Sequence, residues 1–166
     1  MVIALTGFMG SGKTTVGRII ADALGCPFVD LDEAVATEAG ASVPAIFAAE
    51  GEAGFRAREL AALRKTLSRY GSGTAVLALG GGTVLLRQAR ELLREKTLCL
   101  WLDASFDTLA ERIGPQGNRP LATSEEALRT LLEERLPLYG ETAAVRIGTD
   151  GLTPDEVADE IIISVL

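Results

Sequence analysis

Five apolar runs recur along the chain, with room for helices between them: VIALT at 2–6, PFVDLD at 27–32, TAVLAL at 74–79, TLCLWLD at 97–103 and AVRIG at 144–148. Most are nearly continuous rather than alternating, which is the pattern of strands covered on both faces. Between the runs the apolar period changes: Leu60, Leu63 and Leu67, then Leu92 and Leu93, then Leu128, Leu131, Leu132 and Leu136 fall at helical spacing. Strand and helix therefore alternate, which calls for right-handed crossovers and predicts a parallel α/β sheet sandwiched between helices. The last helix carries its own start signal, with Thr153 as cap, Pro154 at the first helical position and Glu156 completing a capping box. A chain of 166 residues with 48% hydrophobic content suits a single domain over 1–166. The segment GPQGNRPLATS at 114–124 has neither period, and a loop that long in a compact domain is more often functional than accidental.

Between the first run and the first helical stretch lies GFMGSGKTT, residues 7–15. Gly7, Gly12, Lys13 and Thr14 fill the spacing G-x-x-x-x-G-K-[ST], in which successive backbone N–H groups turn inward around nucleotide phosphates. The flanking strand and helix are in the required order, so a helix amino terminus adds its dipole to the cradle. Gly10, Ser11, Gly12, Lys13, Thr14 and Thr15 are the candidate nucleotide-binding residues.

Charge narrows the ligand class. A net charge of −7 argues against a nucleic-acid partner and requires any anionic ligand to be met by locally concentrated cations. Only Lys13, Lys65 and Lys96 of the 16 basic residues are lysines, so the bidentate guanidinium is the main anion-binding tool. There is no histidine, and a proton acceptor must be sought among carboxylates. Cys26 and Cys99 are too few for a zinc cluster or a disulfide scaffold and suit small buried positions in a reducing compartment. No leader precedes the first strand and no apolar run approaches the ~20 residues that span a bilayer, so a cytoplasmic monomer without membrane contact is the expectation.

Four groups of residues could carry chemistry. FVDLDEA puts Asp30 and Asp32 two apart, on one side of the chain if it stays extended, and at the carboxyl end of a strand where open parallel sheets bind ligands. One could orient magnesium-bound water and the other a hydroxyl; alternatively, Asp30 ends a strand and Asp32 caps a helix. Glu52, Arg56 and Glu59 are spaced for one helical face after an EG break, with Phe47 and Phe55 as apolar walls or as core, and a solvated ladder is the competing reading. Gly80, Gly81 and Gly82 follow the third run and permit close backbone approach. Arg112 and Arg119 bracket the long loop and Arg135 stands in ERLPLY, arginines that could clamp a transferred phosphate.

With GFMGSGKTTVGR, DLD, IFAAEGEAGFRARE, LGGG, NRPL and RLPLY in one order along the whole chain, the sequence resembles the shikimate kinases. That resemblance implies a P-loop kinase fold with a five-stranded parallel sheet and a mobile lid at about 112–124. It also implies ATP-dependent phosphorylation of the 3-hydroxyl of shikimate, in aromatic amino acid biosynthesis, with ATP and Mg²⁺. By the same resemblance Lys13 would contact the β- and γ-phosphates, Thr14 and Asp30 would serve Mg²⁺, and Asp32 would touch the substrate hydroxyls and act as base. Arg56 and Arg135 would grip the shikimate carboxylate beside the backbone of Gly80, Gly81 and Gly82. Arg119 would reach the transferred phosphate, Arg112 would lie beside the adenine, and the tail GTDGLTPDEV falls loosely on the adenine-side loop. Gluconate kinase, whose substrate also offers a carboxylate and hydroxyls, is the enzyme alternative.

Overall fold

The computed structural model describes residues 1–114 and 124–165. Its strands are β1 (Val2–Thr6), β2 (Phe28–Asp30), β3 (Ala75–Ala78), β4 (Thr97–Asp103) and β5 (Val145–Gly148). They are interleaved with α1 (Lys13–Leu24), α2 (Leu31–Ala39), α3 (Val43–Tyr70), α4 (Arg87–Lys96), α5 (Phe106–Ile113), α6 (Glu125–Thr142) and α7 (Pro154–Ser164). All pairings are parallel, in the order β2-β3-β1-β4-β5. The continuous apolar runs have a direct cause in this layering. Val2 and Ala4 of β1 join one core with Leu31, Leu63 and Leu77, whereas Ile3 and Leu5 join a second core on the other face with Ile20, Leu100 and Ile161. A third cluster, built on Phe8, Trp101, Leu132 and Tyr139, lies under α6. Each fully buried aliphatic side chain contributes ~1.5–3 kcal/mol, so both faces of β1 are needed to hold it at the centre.

The chain leaves β1 for the edge strand β2, returns to β3, and only then crosses to β4. That reversal brings the loops after β1, β2 and β3 together at the carboxyl edge of the sheet, where such folds bind ligands.

Three runs are shorter than their apolar signal. The second is the instructive one: it ends at Asp30, and α2 begins at Leu31. The Asp30 carboxylate accepts from the amides of Asp32 and Glu33, so the chain turns helical instead of continuing extended. Asp30 and Asp32 therefore do not lie along one extended segment; the first caps α2 and the second sits in its first turn. The box expected at the start of α7 is present in both directions, Thr153 to Glu156 and back. Within α3, Gly51 adopts φ 71° and ψ −177°, a conformation that only glycine takes at low cost, and the helix kinks there. The EG break thus restarts the helix at Glu52 on a new heading. Among the described residues no helix is long and apolar enough to cross a membrane.

Candidate active site

The loop from Gly7 to Gly12 joins β1 to α1, and Gly12 caps the helix in the left-handed conformation without any side-chain cap. The first amides of a 12-residue helix are left to a ligand, with the positive end of its dipole behind them. Lys13 folds back over the loop, donating through Nζ to the carbonyl oxygens of Gly7 and Phe8, both at 2.9 Å, and reaching Ser11 Oγ at 3.5 Å. Thr14 Oγ1 donates to Asp30 Oδ2 at 2.8 Å, which ties the start of α1 to the end of β2. A cavity of about 230 Å³ brings Lys13, Thr14, Thr15, Asp30, Asp32 and Gly81 onto one wall system.

On the far side of the loop is a second cavity of about 390 Å³, lined by Ser11, Thr15, Arg112, Thr149, Leu152 and Pro154 among others. Arg112 bridges it, donating to the carbonyl oxygens of Gly10 and Thr149, each at 3.3 Å. Thr149 and Leu152 belong to the tail GTDGLTPDEV, whose sequence matches the adenine-side loop only loosely, and they line this cavity with Arg112. The usable signal was the capping box, which starts α7 at Pro154 and so places residues 149–153 at the carboxyl end of the last strand.

Charged side chains gather around the glycine triplet, whose Gly81 lines the first cavity. A Cβ on Gly80 would stand 2.7 Å from both Asp32 Oδ1 and Glu59 Oε1, one on Gly81 would stand 3.5 Å from Arg135 Nη1, and one on Gly82 would collide with the Arg56 guanidinium. None of the three has a positive φ. The triplet is therefore a matter of space rather than of conformation: bare backbone lets two carboxylates and two guanidiniums converge.

Arg56, Glu52 and Glu59 do share a face, as their spacing requires, and the solvated-ladder reading fails. Glu59 is fully buried, with Oε2 accepting from Arg56 Nη1 at 2.8 Å and Oε1 accepting from Thr83 Oγ1 at 2.6 Å. Glu52 adds a 3.5 Å contact to Arg56 from the rim. Glu59 was already a candidate by its spacing to Arg56; Thr83, which the sequence did not single out, joins the cluster only once the fold is known. Phe55 is buried, and Phe47 stacks on it with ring centroids 4.7 Å apart, so that pair packs into the core.

Arg135 is 3% exposed, lies 5.7 Å from the centre of the Phe8 ring, and has no carboxylate partner among the described residues; its Nε is without a hydrogen bond there. The Asp32 carboxyl is pushed up to about 6, first by burial, then by the charges of Glu59 and Asp30, against the opposing pull of Lys13 and Arg56. Cys99 is buried with its thiol pushed up to about 12, as befits a small core residue. Arg119 and most of the expected lid lie outside the described residues.

Comparison with known proteins bears on this arrangement. The shikimate kinase family model matches residues 9–166. A shikimate kinase of Symbiobacterium thermophilum is 46% identical over 97% of this chain and 94% of its own length. Among solved structures, a shikimate kinase from Acinetobacter baumannii in complex with shikimate superposes with a TM-score of 0.91 at 39% identity, covering 97% of this chain and 90% of that one. The shikimate kinase of Aquifex aeolicus gives a TM-score of 0.86 at 35% identity over 99% and 96%.

Proposed function

The chain belongs to the shikimate kinase family, and from that membership we propose a division of labour among its residues. The reaction is transfer of the terminal phosphoryl group of ATP to shikimate, a step in the biosynthesis of aromatic compounds. In our reading the loop amides of Gly10 to Thr15 and the Lys13 ammonium hold the ATP phosphates, and Arg112 with Thr149 and Pro154 holds the base. The hydroxyl of Thr14 and the carboxylate of Asp30 fit Mg²⁺: they are hard oxygens already 2.8 Å apart. Among the described residues no group of three or more His, Cys, Asp or Glu side chains offers a protein cage, which matches an ion that keeps most of its sites for phosphate and water. When bound, the ion supplies neutralisation of phosphate charge.

Arg135 carries the reading of the acceptor side. A guanidinium buried with no carboxylate partner among the described residues is costly unless a ligand anion completes it, and here the Arg135 group stands beside Gly81 and the Arg56 group beside Gly82. Shikimate's carboxylate would take both guanidiniums and its hydroxyls would turn toward Asp32. With a pKa of about 6, Asp32 is ionised at neutral pH yet a better proton acceptor than an exposed aspartate, and it would receive the proton of the 3-hydroxyl. Phosphoryl transfer asks mainly for alignment and charge neutralisation, so a base of this strength suffices. Arg119 would neutralise the group in flight.

Coupled ADP release measured with shikimate, quinate, gluconate and nucleoside monophosphates tests the assignment. Shikimate-dependent release is the expected result, and turnover with gluconate alone would overturn it.

A further inference from the structure

On the reading that Arg135 and the glycine triplet bind the acceptor, one residue lying against both remains without a role. Tyr139 is fully buried, one helical turn beyond Arg135 on α6. Its hydroxyl donates to the carbonyl oxygen of Gly81 at 2.6 Å, across 58 residues of sequence. Arg135 stands beside the same hydroxyl: burial drives the phenol's proton affinity up, and the first influence opposing it is the Arg135 charge. Packing alone would not select this side chain. The ring sits 5.9 Å from that of Trp101 in an apolar cluster, where phenylalanine would pack equally well and carry no hydroxyl to desolvate.

The Gly81 carbonyl is the peptide oxygen in the triplet that most needs this partner. In the turn that follows β3, the carbonyls of Gly80 and Gly82 accept from the amides of Thr83 and Leu85, whereas that of Gly81 takes its bond from Tyr139. A planar trans peptide sends the next N–H the opposite way, so fixing this oxygen also aims the Gly82 amide away from α6. Gly81 has no side chain to do this itself, and a Cβ there would stand 3.5 Å from Arg135 Nη1.

We propose that Tyr139 is a positioning residue that locks the Arg135 guanidinium and the Gly81 peptide into one anion-binding unit for the acceptor's carboxylate. Tyr139→Phe removes only the hydroxyl. Steady-state kinetics of the full chain should show the KM for shikimate rising roughly tenfold, the scale of one lost buried hydrogen bond. The value of kcat should stay within about twofold and the KM for ATP should not move. In an Arg135→Lys background the same substitution should cost little further, because the two act on one contact. An unchanged shikimate KM in Tyr139→Phe, or equal penalties in both backgrounds, overturns the inference. Should Tyr139→Phe not fold, ¹⁹F NMR of the chain made with fluorotyrosine, assigned through Tyr70→Phe, replaces it: the Tyr139 resonance must shift on adding shikimate, and a fixed resonance overturns the inference too. Wild-type chain without shikimate-dependent ADP release would instead remove the premise, a failure plainly different from a normal wild type with a silent Tyr139→Phe.

Discussion

Asp32→Asn should make the protein more stable while abolishing most of its turnover. The carboxyl group moves from 3.8 to about 6 on folding, because burial and the Glu59 and Asp30 charges outweigh Lys13 and Arg56. An acid whose pKa is raised in the folded state binds its proton more tightly there. Its contribution to stability is therefore complete below the unfolded value and is lost as pH rises through about 6. Two pK units at ~1.4 kcal/mol each amount to about 3 kcal/mol, carried as a destabilisation by the ionised protein at neutral pH. Asparagine has nearly the same shape and no charge to bury. Urea unfolding at pH 8 should favour the variant by up to about 3 kcal/mol, or roughly 6–12 °C in Tm for a chain of this size, and the two proteins should converge near pH 3.5. A stability difference that is absent at pH 8, or that persists unchanged at low pH, refutes the electrostatic account of Asp32. Full activity in Asp32→Asn refutes its role as base, and the two results can be read independently.

Three further outcomes follow from the same geometry. Glu59→Gln removes a negative neighbour that raises the Asp32 pKa, so the acidic limb of kcat/KM for shikimate should move below pH 6, with a higher KM from the loosened Arg56; a stationary limb contradicts the coupling. Gly82→Ala drives a methyl group into the Arg56 guanidinium and should raise the shikimate KM at least tenfold with ATP affinity intact, as titration of each ligand would measure. Arg119→Ala, at a position outside the described residues, should lower kcat more than it weakens shikimate binding, and single-turnover kinetics with equal losses in both would count against it.

The parts of this molecule that were readable beforehand are those whose signal is local. A phosphate loop is a contiguous string of backbone requirements, so Gly7 to Thr15 announce it, and α7 is announced by Thr153, Pro154 and Glu156. Strand ends were less legible. The apolar run PFVDLD does not reveal that the Asp30 side chain captures two amides and turns the chain at Leu31, because that contest between side chain and sheet is decided by the helix behind it. Least legible were the groups whose meaning lies across the fold. Thr83 and Glu59 meet over 24 residues and Tyr139 reaches Gly81 over 58, and neither pairing leaves any periodic trace in the chain.

Arg56 and Arg135, which we place on the acceptor side, look alike in sequence and differ in electrostatic standing. Arg56 is paired by fully buried Glu59 at 2.8 Å and by Glu52 at the rim at 3.5 Å, so protein carboxylates hold its fork without help from a ligand. Arg135 is as deeply buried and has no carboxylate partner among the described residues. Pairing both would leave the pocket without a net attraction for an anion, and pairing neither would ask the fold to hold two uncompensated guanidiniums side by side. On the proposed assignment one of each resolves the conflict: Arg56 would supply direction, and Arg135, without a carboxylate partner among the described residues, would supply the charge that a single carboxylate can satisfy. If Arg135 binds the acceptor as proposed, an acceptor lacking that carboxylate would leave it uncompensated, so neutral polyols should be selected against by the unequal partnering of these two side chains as well as by the shape of the pocket, and their turnover in the coupled ADP assay should fall far below that of shikimate.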